Sequence, residues 1–126
     1  MIFVSTTFFP NNTKIEKVLD ECSKYSIKNI ELGSNHPYDS DYIKKIKRNN
    51  FNYLAHNYFL RPKNDFVINI ASLDKEILER SINHVFMSID VCSDIDAKMY
   101  TIHPGFLTDA ISESKSELNY DFIWDE

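Results

Sequence analysis

Two histidines follow short runs of residues that favour β-structure. His56 ends an apolar and aromatic run at residues 51–55, and His103 follows a second run at residues 99–102. Such runs predict buried strands. Neutral imidazole is a common ligand of zinc and related divalent metals, and carboxylates complete such sites. The pair therefore indicates a candidate metal site, although each histidine taken alone fits a ring bonded to a backbone carbonyl somewhat better.

Four more polar residues lie close to predicted strand ends: Glu31, His36, Asn57 and Tyr58. Glu31 is the candidate catalytic acid or base, but pairing with Lys28 would also account for it. The other three are candidate substrate contacts. His36 equally fits a structural role in the loop before Pro37, and Asn57 and Tyr58 equally fit the start of a loop.

The elements that would position these residues alternate along the chain. Strands are predicted at residues 1–6, 27–32, 51–55 and 98–103, and helices at residues 13–25, after Ser40, and at residues 73–96. Alternation of this kind predicts parallel strands joined by right-handed crossovers with helices packed outside. The fold class is thus α/β, a partial (β/α) TIM barrel with about four parallel strands and three outer helices. Strand ends of such a barrel converge on one face.

The last helix is the longest, with Ser72 as its expected N-cap. Apolar residues at helical spacing predict its buried face: Leu78, Ile82, Val85, Ile89 and Cys92. His84 lies opposite these residues and is expected on the surface.

Two motifs carry a family resemblance. His56-Asn57-Tyr58 is followed by Ile68-Asn69-Ile70-Ala71-Ser72, the long helix and His103-Pro104-Gly105. This order resembles the xylose isomerase-like TIM barrels, which include sugar and sugar-phosphate isomerases and epimerases and the endonuclease IV-like enzymes. The resemblance implies that His56 and His103 bind one divalent metal. It also implies that the remaining carboxylate ligands come from later strands, which this chain lacks.

The length of 126 residues accommodates about half of a barrel, because a complete one needs about 250. Residues 1–105 are therefore predicted to form the N-terminal half of a TIM barrel. Residues 106–126 are expected to form a loop or tail, with residues 120–126 aromatic enough to pack or to begin a short strand.

Charge and cysteine content narrow the function classes. A net charge of -5 and a pI near 5.3 disfavour nucleic acid as a partner, and the basic cluster at residues 44–48 fits a solvated helix end. Cys22 and Cys92 are expected to be small buried residues. No apolar segment approaches the ~20 residues that span a bilayer, so a cytoplasmic protein without membrane contact is expected.

Three functions stay open from the sequence. The favoured one is a sugar or sugar-phosphate isomerase or epimerase that uses a divalent metal, Zn or Mn, bound weakly by this chain alone. The second is an endonuclease IV-like zinc phosphodiesterase. The third is a non-catalytic half-barrel that assembles with another chain, as a homo-oligomer or with a barrel-completing partner.

Overall fold

The computed structural model describes residues 1–113 and 122–124. The strands are β1 (Val4–Ser5), β2 (Asn29–Leu32), β3 (Asn52–His56), β4 (Tyr100–Thr101), β5 (Ala110–Glu113) and β6 (Phe122–Trp124). The helices are α1 (Ile15–Lys24), α2 (Tyr42–Lys47) and α3 (Lys75–Asp94), with a 3-10 turn at Thr6–Phe8. None of these helices is long and apolar enough to cross a membrane.

The first four strands form one parallel sheet in the order β1-β2-β3-β4. Each of β1, β2 and β3 is followed by a helix and then by its neighbour in the sheet, as in a barrel built of βα units. The predicted fold class, four parallel strands with three helices, is confirmed. Within the expected loop or tail, β5 and β6 pair antiparallel, and β6 lies in the segment 120–126 expected to pack or to begin a short strand. Residues 114–121 and 125–126 lie outside the described residues.

The core lies between one face of the sheet and the helices. On β2 and β3, Ile30, Leu32, Tyr53 and Ala55 are buried in one cluster with the apolar stripe of α1, which ends at Cys22. The alternate residues Glu31, Leu54 and His56 are only half-buried. Since side chains alternate across a strand, these three lie on the opposite face, which corresponds to the inside of a barrel. We call this the open face.

Helix α3 buries a different face from the one its apolar spacing predicts. Of the predicted apolar residues Cys92 is buried, but Ile82 is 37% exposed and Ile89 47% exposed. The helix instead buries Ser81, His84 and Ser88. The cause is the polar backbone that the helix covers. Ser81 Oγ accepts a hydrogen bond from the Asn69 amide at 2.9 Å, and Ser88 Oγ donates one to the Phe59 carbonyl at 2.6 Å. The expectation that His84 lies on the surface is therefore wrong, because this face of the helix packs against a loop.

The start of α3 also differs from expectation. Asp74 caps the helix, and its carboxylate accepts hydrogen bonds from the amides of Glu76 at 2.8 Å and Ile77 at 3.2 Å. Ser72 instead donates to Asp109 Oδ2 at 2.6 Å. The side chain expected to cap the helix therefore ties the chain before α3 to the chain after β4.

Cys22 and Cys92 are free and buried as predicted.

Candidate functional site

His56 ends β3 with one ring nitrogen already engaged. In the parallel register His56 lies opposite Thr101, and its Nδ1 is 2.8 Å from Thr101 Oγ1. When the hydroxyl accepts from Nδ1–H, the lone pair is on Nε2, the nitrogen that can bind a metal. Thr101 therefore positions the ring. No sequence pattern marks Thr101, because only the register of β3 against β4 places it beside His56.

His103 lies two residues beyond Thr101 and next to His56. The two imidazole centroids are 5.2 Å apart and the ring planes are nearly perpendicular, at 87°. The prediction that both histidines occupy the same sheet edge and approach each other is confirmed. We call this pair the histidine edge.

Asn57 links the ends of β3 and β4 behind the histidine edge. It adopts a left-handed conformation with φ of 48°, which asparagine tolerates better than most residues. Its amide donates to the Thr101 carbonyl at 2.7 Å, and its carbonyl accepts from the Tyr100 hydroxyl at 2.8 Å. Its Oδ1 accepts a longer bond from the His103 amide at 3.4 Å. These contacts give Asn57 a positioning role; its predicted contact with substrate stays a prediction.

The loop that carries His103 is clamped by Asn69, which is 2% exposed. Asn69 Oδ1 accepts from the amides of Ala71 at 3.1 Å and Phe106 at 3.0 Å, and its Nδ2 donates to Asp109 Oδ1 at 2.7 Å. The Ile70 amide adds a bond of 2.9 Å to the Pro104 carbonyl. We call this set of contacts the Asn69 clamp. Sequence reasoning missed it, although an amide inside the apolar run at residues 67–71 signals a buried group that needs partners.

Gly105 is required where the clamp meets the loop. A Cβ at this position would lie 2.2 Å from Asn69 Oδ1 and 3.3 Å from the Ala71 amide nitrogen. No real side chain tolerates the first distance, so the glycine lets the two segments approach. Two of the segments that carry the family resemblance, residues 68–72 and 103–105, are therefore parts of one hydrogen-bonded unit.

Glu31 lies on the open face, one layer below His56. Glu31 is opposite Leu54 in the register of β2 against β3, so it lies two residues before the level of His56 and one strand away. That placement puts the two Cα atoms on the order of 8 Å apart. A carboxylate there faces the same side of the sheet as the histidine edge. Its role as an acid or base stays a prediction.

His36 and Tyr58 are held within the structure. His36 is fully buried, its Nδ1 bonds the Thr13 carbonyl at 2.8 Å, and burial lowers the pKa of its ring. The Tyr58 hydroxyl accepts from the Ile68 amide at 2.8 Å. Both residues therefore stabilise the loops after β2 and β3, and their predicted substrate contacts are not tested by this geometry.

A sequence model described as xylose isomerase-like TIM barrel matches residues 19–123, most of the chain. The chain belongs to the xylose isomerase-like TIM barrel family. This family assignment agrees with the four parallel strands and with the convergence of His56 and His103 at their carboxyl ends.

Two curated proteins that are similar to this chain carry the name of an endonuclease. The chain is 29% identical over 79 residues to apurinic-apyrimidinic endonuclease 1 of Plasmodium berghei (strain Anka), covering 63% of this chain and 16% of that protein. It is 32% identical over 63 residues to the protein of the same name from Plasmodium falciparum (isolate 3D7), covering 50% of this chain and 11% of that protein. No solved structure gives a significant match. The chain thus spans less than a fifth of the length of these relatives.

The residues of this family member fit half of a divalent-metal site. The two imidazoles of the histidine edge are close, and Thr101 orients one of them. Across residues 1–113 and 122–124, no group of three or more His, Cys, Asp or Glu side chains is arranged to hold a metal ion. Protein zinc sites use three or four protein ligands. A metal ion at this edge would have two ligands from this part of the chain, and any others would have to come from elsewhere.

Proposed function

We propose that this chain is the metal-binding N-terminal half of a barrel enzyme that isomerises or epimerises a sugar or sugar phosphate. The observation that carries the proposal is the 5.2 Å approach of the His56 and His103 rings at the carboxyl ends of β3 and β4. Active sites of TIM barrels lie at this face. Both parts of the proposal, the metal and the sugar, go beyond the family assignment.

Each residue of the site has a distinct task in this proposal. His56 and His103 would hold the divalent ion, which supplies Lewis-acid polarisation of a carbonyl or hydroxyl oxygen when bound. Thr101 fixes the His56 ring, and Asn57 with the Asn69 clamp fixes the loop of His103. Glu31, on the same face one layer below, is the candidate group that accepts or donates a proton.

The distribution of charge supports a sugar over DNA. The chain carries a net charge of -5, and its basic cluster lies on the outer helix α2. Three of the cluster's lysines already pair with carboxylates: Lys44 with Asp41, Lys45 with Glu16 and Asp39, and Lys47 with Asp94. Paired cations on an outer helix offer little attraction for a phosphate backbone at the strand ends.

A second candidate function is metal-dependent cleavage of DNA at abasic sites. The specific support for it is the shared name of the two curated relatives, each an apurinic-apyrimidinic endonuclease. The same histidine edge would then hold zinc that activates water against a phosphodiester. The two candidates differ in substrate and share the metal ligands.

Either function requires further barrel residues to complete the metal site and the active site. We therefore also propose that the 126-residue chain associates with a further copy of itself. Strand β4 has no partner on its outer side among the described strands, and the neighbouring helix α3 exposes Ile82, Phe86 and Ile89. Unpaired strand edges and apolar patches promote association. Light scattering should show a concentration-dependent oligomer that Phe86→Asp weakens. A monomer at all concentrations for both proteins would contradict this proposal.

The test of function uses Mn²⁺ as a paramagnetic reporter. We expect Mn²⁺ bound to the 126-residue chain to enhance the relaxation of protons near C1 and C2 of an added ketose or ketose phosphate. The His56→Ala/His103→Ala double variant should lose this effect. In parallel, a duplex with one abasic site is incubated with the Zn²⁺-loaded chain.

The outcomes separate the candidates. Relaxation of sugar protons that requires both histidines supports the isomerase or epimerase proposal. Zinc-dependent strand cleavage that requires both histidines, without the sugar effect, would replace it with the endonuclease candidate. Neither effect, in a wild-type sample that light scattering shows to be associated, would contradict both.

A further inference from the structure

A cavity of about 440 Å³ lies between the loops after β2 and β3 and helix α3, and neither His56 nor His103 lines it. Residues 37–40, residues 60–63 with Phe66, and the face of α3 from Arg80 to Met87 form its walls. This volume is in the range of small-molecule sites. All three walls are contained in the described part of the chain, so this cavity, unlike the histidine edge, needs no further strands.

Cations gather on these walls although the chain as a whole is acidic. Arg61, Lys63 and Arg80 line the cavity together with one carboxylate, Asp39. Asp39 pairs with Lys45, which offsets its charge. The cavity therefore presents an excess of positive charge, whereas the net charge of the chain is -5.

Two of the three cations, Lys63 and Arg80, have N–H donors that no carboxylate of the described residues engages. Within residues 1–113 and 122–124, neither Lys63 nor Arg80 has a carboxylate at ion-pair distance, whereas Arg61 is paired with Asp65 at 2.7 Å. Arg80 stacks on Phe66, with its Cζ 4.0 Å from the ring centroid, and donates to the Asn64 carbonyl at 2.8 Å. These contacts fix the guanidinium beside the residue that follows Lys63. They occupy one of its five N–H donors.

His84 adds an unsatisfied polar group to the same wall. It is 5% exposed and packs against the rings of Tyr58 and Phe66. One ring nitrogen bonds the Asn57 carbonyl, and Nε2 is buried with no hydrogen-bond partner among the described residues. A buried polar atom without a partner is destabilising. Because this atom is buried, His84 serves as a reporter of the cavity wall rather than as a direct ligand contact.

We propose that this cavity binds a small phosphate monoester, with its phosphate at Lys63 and Arg80 and its body against Leu60, Pro62 and Met87. A monoester carries about 1.5 to 2 negative charges and several acceptor oxygens at neutral pH, which matches a lysine and a planar guanidinium. A phosphodiester carries only one negative charge. In a nucleic acid it is part of a long polymer, which a cavity of this size would not enclose. The proposal is independent of the metal and of the enzymatic function proposed above.

The experiment is an NMR titration of the 126-residue chain with glycerol 3-phosphate, inorganic phosphate and dimethyl phosphate. The imidazole signals of His84 and His56 report on the cavity and the histidine edge separately. We expect glycerol 3-phosphate to shift His84 at lower concentration than dimethyl phosphate does. His56 should not shift.

Charge-removing variants decide whether the named cations carry the binding. Lys63→Gln should weaken glycerol 3-phosphate binding roughly tenfold, since hydrogen bonds to charged groups are the strong ones. Lys63 is exposed, so the variant should keep its fold. Arg80→Gln should weaken binding further, and the matched control Lys17→Gln, on exposed α1 surface, should change it less than twofold.

Three results would overturn the proposal. The first is that Lys17→Gln and Lys63→Gln weaken glycerol 3-phosphate binding equally. The others are that dimethyl phosphate binds as tightly as glycerol 3-phosphate, and that the His84 signal does not shift at any ligand concentration. The His56→Ala/His103→Ala variant should bind glycerol 3-phosphate as the wild type does. Failure of the metal proposal therefore leaves this one standing, and the reverse also holds.

Discussion

The histidine edge and the cavity beside α3 both contain imidazole rings that flank Asn57, but they are built differently. The edge takes its two rings from the ends of two adjacent strands and faces the open side of the sheet. The cavity lies between two loops and α3, and its imidazole, His84, is buried. Part of a barrel can therefore form an outer pocket of its own while the face that carries the histidine edge stays open.

The largest effect that separates the two regions is expected from Gly105→Ala. The added Cβ would collide with Asn69 Oδ1 and break the Asn69 clamp, so we expect a loss of stability on the order of 2 kcal/mol or more in urea unfolding. The NMR signals of His103 should shift, whereas those of His84 should stay in place.

A double-mutant cycle tests the cause of that loss. In the Asn69→Ala background, Gly105→Ala should cost less than in the wild type, because the oxygen that it meets is gone. An equal cost in both backgrounds would show that the clash with Asn69 is not the reason.

The next effect concerns the buried imidazoles. Burial lowers the pKa of both His36 and His84 below the ordinary value of 6.5. The unfolded chain therefore binds more protons than the folded chain below that pH, so the free energy of unfolding should fall as the pH drops from 7 toward 5. His36→Asn and His84→Asn should each reduce this slope, and an unchanged slope in the double variant would contradict the assignment.

A smaller effect is expected from Thr101→Val. The substitution keeps the shape of the side chain but removes the hydroxyl that bonds His56 Nδ1, which should cost about 1 kcal/mol. Affinity for Zn²⁺ should fall severalfold, because the ring is no longer held in one orientation. Thr108→Val, at an exposed position between Phe106 and Asp109, serves as the control and should leave metal affinity unchanged.

Helices α1 and α3 show how far the sequence could predict the fold. In α1 the apolar residues at helical spacing, from Ile15 to Cys22, are the buried ones, because the helix packs on apolar side chains. In α3 the same reasoning chose the wrong face. Ser81 and Ser88 are buried there because they bond loop backbone, and hydrophobic spacing carries no information about such a partner.

The site was predictable to the same extent as the strands that carry it. The alternation of strands and helices places His56 and His103 at one edge without any knowledge of their contacts. Thr101 and Asp109 escaped notice because their roles depend on strand register and on hydrogen bonds between segments distant in sequence. The burial of His84 depends on which face α3 turns toward the loops, and the apolar pattern predicted a different face.

The central claim is that His56 and His103 together bind a divalent metal. Its most direct test is a calorimetric titration of Zn²⁺ into the wild-type chain, His56→Ala, His103→Ala and the control His36→Asn, which keeps an N–H for the Thr13 carbonyl. Two protein ligands should give weak binding that either alanine variant reduces at least about tenfold and that the control preserves. The same affinity in all four proteins would show that the histidine edge is not the metal site.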